Sequence, residues 1–150
     1  MPKPQSSIQF HSADIEVPLQ DRRKIKQFLR RKFSDSGKPL KKLDYIFCTD
    51  NYLLDINIRF LQHDTLTDII TFPLHDTSEP ISGEIYISVE RVLDNAKTLN
   101  LHKQQEFRRV IFHGALHLLG FKDKSTTEQQ SMRAAEDTWL KDFELFHVEH

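Results

Sequence analysis

A single cysteine, Cys48, leaves no intrachain disulfide and rules out a metal site built of thiolates alone. Any transition metal held by this chain must rest on histidine and carboxylate. Glycine and proline are sparse, at four and six residues, and no tract is repeated or low in complexity, which excludes fibrous and linker-like architectures. No apolar run approaches the length of a membrane span, and the opening "MPKPQSSIQFHSADIEV" lacks the apolar core of a secretory signal. A soluble, cytoplasmic protein without membrane association is expected. Neither sign of charge dominates: the net charge of −1 argues against wholesale binding of a polyanion, and no DNA partner is expected.

What is present is ordinary globular composition. With 38% apolar and aromatic residues in 150, the chain can build a real core, but its length suits one domain rather than two. The charge is unevenly placed. Ten of the 21 basic residues fall between Arg22 and Lys42, whereas from Ser125 onward six acidic residues face only Arg133 and Lys141. A basic run of this kind is most simply a solvated helix face, and it matters for function only beside a site that uses it.

After a short loose arm rich in Pro and Ser, "SIQFH" reads as a first strand. In "DRRKIKQFLRRKF", Ile25, Phe28, Leu29 and Phe33 recur at helical spacing with basic residues between, giving an amphipathic helix with a positive outer face. "LDYIFCT" has strand composition, "NYLLDINIRFL" has helical spacing, and "TDIITF" reads as a buried strand. "GEIYIS" alternates, with Ile85 and Ile87 on one face and Glu84 and Tyr86 on the other. Ser88 is expected to cap a helix through "VERVLDNAKTLN". The next runs from about Lys103 to Leu119, stopped by Gly120, and Ser125 with Glu128 opens the last as a capping box. The fold class is α/β: a single-domain sandwich with a mixed sheet of about four strands and about five helices, its metal site on a helix near the sheet edge.

That site is suggested by "IFHGALHLLGFKDK". Residues i and i+4 share a helix face, so His113 and His117 can offer imidazole nitrogens to one ion. Eight histidines in 150 residues produce roughly 0.4 such pairs by chance, so spacing alone leaves an ordinary helix with surface histidines open. Two features favour more. The helix's apolar stripe is Phe107, Ile111, Ala115 and Leu118, which leaves both histidines to its side. Gly114 costs the helix about 1 kcal/mol relative to Ala, which fits a close approach to the backbone there. The loop past Gly120 can double back and bring Asp123 over the same face as a third ligand, with a fourth position open to water. A zinc peptidase would need glutamate directly after the first histidine, and position 114 is glycine, so metalloprotease chemistry is disfavoured.

At these residues the sequence resembles the YbeY-type endoribonucleases, or rRNA maturation factors. "HGALHLLGFKDK" is similar to the family's H-G-x-L-H-L-x-G-[YF]-D-H signature. Upstream, "INIRFLQHDTLTDIITFP" and "GEIYIS", with Asn95 and Ala96 in the following helix, resemble its other blocks in the same order. The resemblance implies a metal-dependent endoribonuclease that prefers single strands and acts on rRNA at the small ribosomal subunit, in 16S 3′-end maturation and ribosome quality control. It implies Zn²⁺, one per chain, with another divalent metal possible. Residue by residue, it makes His113 and His117 metal ligands and puts Asp123 where the family has a third histidine, a change toward harder metals such as Mn²⁺ or Mg²⁺.

The family's arginine, implied to contact RNA phosphate, aligns with Leu61. Arg59 is the nearest arginine, and two residues along a helix is about 200° away. Lys122 is a candidate for offsetting charge on the reacting phosphate, beside Arg59, while Lys124 and Phe121 are candidates for RNA binding. Phe121 is open to either base stacking or core packing. Thr67 and Asp68 match a polar pair expected to form the cleft or to cap a strand. The rival to an enzyme is a non-catalytic ribosome-assembly or RNA-binding factor with a structural metal, favoured by Leu61. His11, His63, His75 and His102 have no ligand-spaced partner, His147 with His150 reads as a solvated tail, and none of the six carries a site.

Overall fold

The computed structural model describes residues 6–62 and 67–149. The expected N-terminal arm over residues 1–5, His63 and His150 lie outside them. The elements in order are β1 (Ser7–Ser12), α1 (Arg22–Asp35), β2 (Leu40–Cys48), α2 (Asp50–Ile56), a wider π-type turn (Asn57–Leu61), β3 (Ile69–Pro73), β4 (Ile81–Ser88), α3 (Val89–Thr98), α4 (Lys103–Leu118) and α5 (Thr126–Leu145). The four strands form one mixed sheet in the order β1-β2-β4-β3, with β3 antiparallel to β4 and the rest parallel.

One face of the sheet carries the main core. Leu43, Tyr45 and Phe47 alternate inward on β2 and meet Ile85 and Ile87 on β4, as the period of two requires. The apolar stripe of α1, formed by Ile25, Phe28, Leu29 and Phe33, closes over them. Phe28, Phe112, Trp139 and Phe143 then tie α1, α4 and α5 together, with ring centroids 5.1 to 6.0 Å apart. Truncating a ring as central as Phe28 costs about 3–5 kcal/mol. The buried Tyr45 hydroxyl donates to the Ile111 carbonyl at 2.9 Å, so no polar group is stranded there. A smaller cluster of Cys48, Leu53, Ile56 and Ile70 fills the opposite face beneath α2.

Two glycines set how closely α4 approaches the sheet. A Cβ on Gly114 would stand 2.7 Å from Cδ1 and 2.9 Å from Cγ2 of Ile85, and a Cβ on Gly83 would stand 2.8 Å from Cδ1 of Leu118. The close approach expected at Gly114 is therefore made by the sheet itself. The basic and acidic ends of the sequence meet in space: Lys32 of α1 pairs with Asp142 of α5 at 2.6 Å, and Arg23 and Gln27 donate to the Glu149 carbonyl. Most of the positive run nonetheless stays exposed.

One expectation is corrected. "TDIITF" forms a half-buried edge strand rather than a buried one, because it pairs with β4 on one side only.

Candidate metal centre

α4 lies against β3 and α5, and its free face repeats at helical spacing. Glu106, Arg109, His113 and His117 line one wall of a cleft of about 750 Å³. α5 supplies the facing wall with Gln129, Met132, Arg133 and Glu136 at the same spacing. The third wall is the start of β3, with Thr67 and Asp68, together with Leu61 from the π-type turn. Such a turn inside a helix shifts the following side chains around the axis. Here Leu61 lines the cleft and Arg59 stays outside it, paired with Asp55 at 3.1 Å.

At the centre stands His113, half-buried. Its Nδ1 is 2.7 Å from Oε2 of Glu136, and its Nε2 is 3.3 Å from Oδ2 of Asp123. Glu136 is buried at 5% exposure, and its other oxygen accepts from Arg109 at 3.0 Å. Arg109 spends a second donor on Asp137 at 2.6 Å. The carboxylate accepts at Nδ1, which makes Nδ1 the protonated nitrogen and turns the Nε2 lone pair toward Asp123.

Asp123 is held by its neighbours. α4 ends with Gly120 at φ 108°, a left-handed stop that reverses the chain, and Phe121 N–H donates to the Leu116 carbonyl. Two residues later Ser125 caps α5, accepting from the Glu128 N–H while the Glu128 side chain accepts from Ser125 N–H. The loop is pinned at both ends, and Asp123 is returned to the histidine face.

One pair of these residues stands at a separation compatible with a shared divalent ion. Ligands at 2.0–2.1 Å on a tetrahedral centre lie about 3.4 Å from one another, close to the 3.3 Å between Nε2 of His113 and Oδ2 of Asp123. That separation is longer than the 2.7–2.9 Å of a charge-assisted hydrogen bond. His117 follows one turn along the same wall. Among the described residues no three His, Cys, Asp or Glu side chains close into a finished cluster; the pair His113 and Asp123 is at ligand separation and His117 shares the cleft.

The electrostatics also suit a cation. Burial alone would lower the His113 pKa, but the Glu136 hydrogen bond and the charges of Glu136, Asp123 and Asp68 outweigh it and the net shift is upward. Burial lifts the carboxyl of Asp68 above its ordinary range, partly offset by a backbone hydrogen bond and by His113. Burial also lifts Glu106, partly offset by Arg109. Three carboxylates, Glu136, Asp123 and Asp68, favour positive charge at this imidazole.

With this geometry in hand, comparison with known proteins is decisive. Residues 7–144 match the family model described as endoribonuclease YbeY. The chain belongs to this family. It is 41% identical over 137 residues to an endoribonuclease YbeY from Amoebophilus asiaticus, covering 91% of this chain and 93% of the relative. It is 42% identical over 136 residues to one from Cytophaga hutchinsonii, covering 91% and 95%. The fold is shared with a solution structure of a Thermotoga maritima protein, at a TM-score of 0.65 and 21% identity over 91% of this chain and 88% of that one.

For this YbeY-family chain, the sequence-derived residues separate into three groups. His113, His117, Asp123, Thr67 and Asp68 all line the cleft. Lys122 and Lys124 flank Asp123 in sequence as exposed residues outside the cleft lining, and Phe121 is 38% exposed, so it is not a core residue. Its neighbour Gly120 has already turned the chain away from the sheet. Arg59 is neither in the cleft lining nor unpaired. Thr67 donates to the Ile69 carbonyl at 3.3 Å, a local turn that shapes the cleft entrance.

Sequence reasoning missed Glu136 and Arg109. The signal was there for Glu136, which interrupts the buried stripe Met132, Trp139, Leu140 and Phe143 of α5. A carboxylate in an apolar stripe requires a partner. Arg109 stands four residues before His113 on the same helix face. Two of the unassigned histidines have local partners: His102 caps α4, accepting from Gln104 N–H, and His11 pairs with Asp44 at 2.8 Å.

Proposed function

We propose that this chain is a metal-dependent endoribonuclease that cuts single-stranded RNA, with one domain carrying the whole activity. Its substrate is rRNA of the small ribosomal subunit, in 16S 3′-end maturation and ribosome quality control, and it acts in the cytoplasm. The observation that supports this best is the 3.3 Å between His113 Nε2 and Asp123 Oδ2 in a cleft shared with His117.

His113, His117 and Asp123 would hold one ion, Zn²⁺ first, with Mn²⁺ or Mg²⁺ made more acceptable by the aspartate oxygen. When bound, a divalent ion supplies Lewis acidity and makes water acidic enough to attack a phosphodiester near neutral pH. Glu136 orients His113 by accepting from Nδ1, and Arg109 holds Glu136 in place. Lys122 and Lys124, which flank Asp123 in sequence, offset charge on the phosphate, and the exposed Phe121 offers a ring to an unpaired base. Thr67 and Asp68 form the floor that the strand crosses. Arg59 contributes only by leaving Asp55.

Incubating purified protein of measured metal content with a structured RNA that carries a single-stranded tail tests this reading. Metal-dependent cleavage in the tail that His113→Ala abolishes supports it, and cleavage unchanged by the substitution removes the assignment. The second reading, a non-catalytic assembly factor with a structural metal, is favoured by Leu61, an apolar side chain in the cleft wall. Tight RNA binding without metal-dependent cleavage would establish it. Protease action is disfavoured by Gly114, and absence of casein hydrolysis would dispose of it.

A further inference from the structure

The cleft is lined by four carboxylates, Asp68, Glu106, Asp123 and Glu136, and by two guanidiniums, Arg109 and Arg133. A phosphodiester entering it meets repulsion that a single divalent ion offsets only in part. The two arginines are not equivalent. Arg109 is half-buried and has committed donors to Glu136 and Asp137, so its charge is spent inside the protein. Arg133 is exposed and faces the cleft one helical turn before Asp137 and three residues before Glu136. Among the described residues it forms no ion pair with a carboxylate, and its charge acts on Glu106 in the same cleft lining.

A guanidinium with no ion pair among the described residues offers a fork of donors that matches two phosphate oxygens, which a lysine does not. Its wall is α5 and the histidines stand on α4, so a strand in the cleft can meet Arg133 and the candidate ion from two different helices. We infer that Arg133 binds a phosphate of the substrate strand and so supplies the backbone contact that the Leu61 wall does not. This rests on the endoribonuclease reading and adds a residue that neither motif spacing nor the upstream blocks singled out.

Steady-state cleavage of a fluorescein-labelled single-stranded RNA by zinc-loaded protein, measured across a range of salt concentrations, tests it. The variants are Arg133→Ala, Arg133→Lys and, as a control of equal charge change on α1, Arg31→Ala. Arg133→Ala is expected to raise KM about five- to tenfold with kcat within about twofold. It should also flatten the slope of log(kcat/KM) against log salt by about 0.7, the contribution of one phosphate on a single strand. Arg133→Lys should keep that slope, and Arg31→Ala should match the wild type. The inference is overturned if Arg133→Ala leaves KM and slope unchanged, or if Arg31→Ala moves them as far. Wild-type protein without metal-dependent cleavage would remove the endoribonuclease reading itself, a failure visible before any variant is compared.

Discussion

The carboxylate of Glu136 is 2.7 Å from Nδ1 of His113, a bond joining the middle of α5 to the third turn of α4. It fixes which imidazole nitrogen faces the cleft and gives a buried charge its partner. Glu136→Gln keeps the shape but weakens the acceptor and the tie to Arg109. Metal affinity, read by competition with a chromogenic chelator, should fall about 10- to 100-fold, the usual cost of losing such an outer partner. Affinity equal to wild type would show that His113 does not need Glu136 to bind a metal.

In the proposed site, Asp123 is the ligand that sets the metal preferred. Asp123→His replaces a charged oxygen with a neutral nitrogen and should shift selectivity toward Zn²⁺ over Mn²⁺ by about tenfold or more, measured by paired competition titrations. Asp123→Asn should weaken both metals. A selectivity ratio unmoved by Asp123→His would place Asp123 outside the coordination sphere.

Gly114 is required by packing. An added Cβ meets Ile85, which is fully buried and cannot swing away. Overpacking of this kind costs about 1–3 kcal/mol, and the better helix propensity of Ala returns at most about 1 kcal/mol. Gly114→Ala should therefore lower stability by about 1–2 kcal/mol in urea unfolding. Adding Ile85→Val, which removes Cδ1, should recover part of the loss, a non-additivity that exposes the contact.

The capping box at Ser125 stabilises α5 and anchors the loop behind Asp123 at once. Ser125→Ala should cost about 1 kcal/mol of folding stability. Because the loop retains its Gly120 reversal, metal affinity should fall less than in Glu136→Gln. Calorimetry and the same chelator competition give both values on one sample, and a stability loss near zero would mean that the box contributes nothing.

The sequence alone determined the elements and the local devices. Period-two alternation placed Ile85 and Ile87 inward. Helical spacing located α1 and α4, and the Ser88 cap and the Ser125 box marked helix starts where the structure has them. These are legible because they depend on residues within a few positions of one another. It also put His113, His117 and Asp123 together, since one helix and one short loop span them.

What only tertiary structure decided involves partners far apart in the chain. Glu136 reaches His113 from 23 residues away, and Ile85 explains Gly114 from a neighbouring strand. Leu61 at the cleft and Arg59 away from it follow the helical spacing, but the π-type turn that carries them was not legible, because one extra residue in a helical turn leaves no mark on the pattern. The basic run, conspicuous as sequence, stays largely exposed, and among the described residues only Lys32 finds a carboxylate on α5, because a charge facing water needs no partner whereas a buried one does.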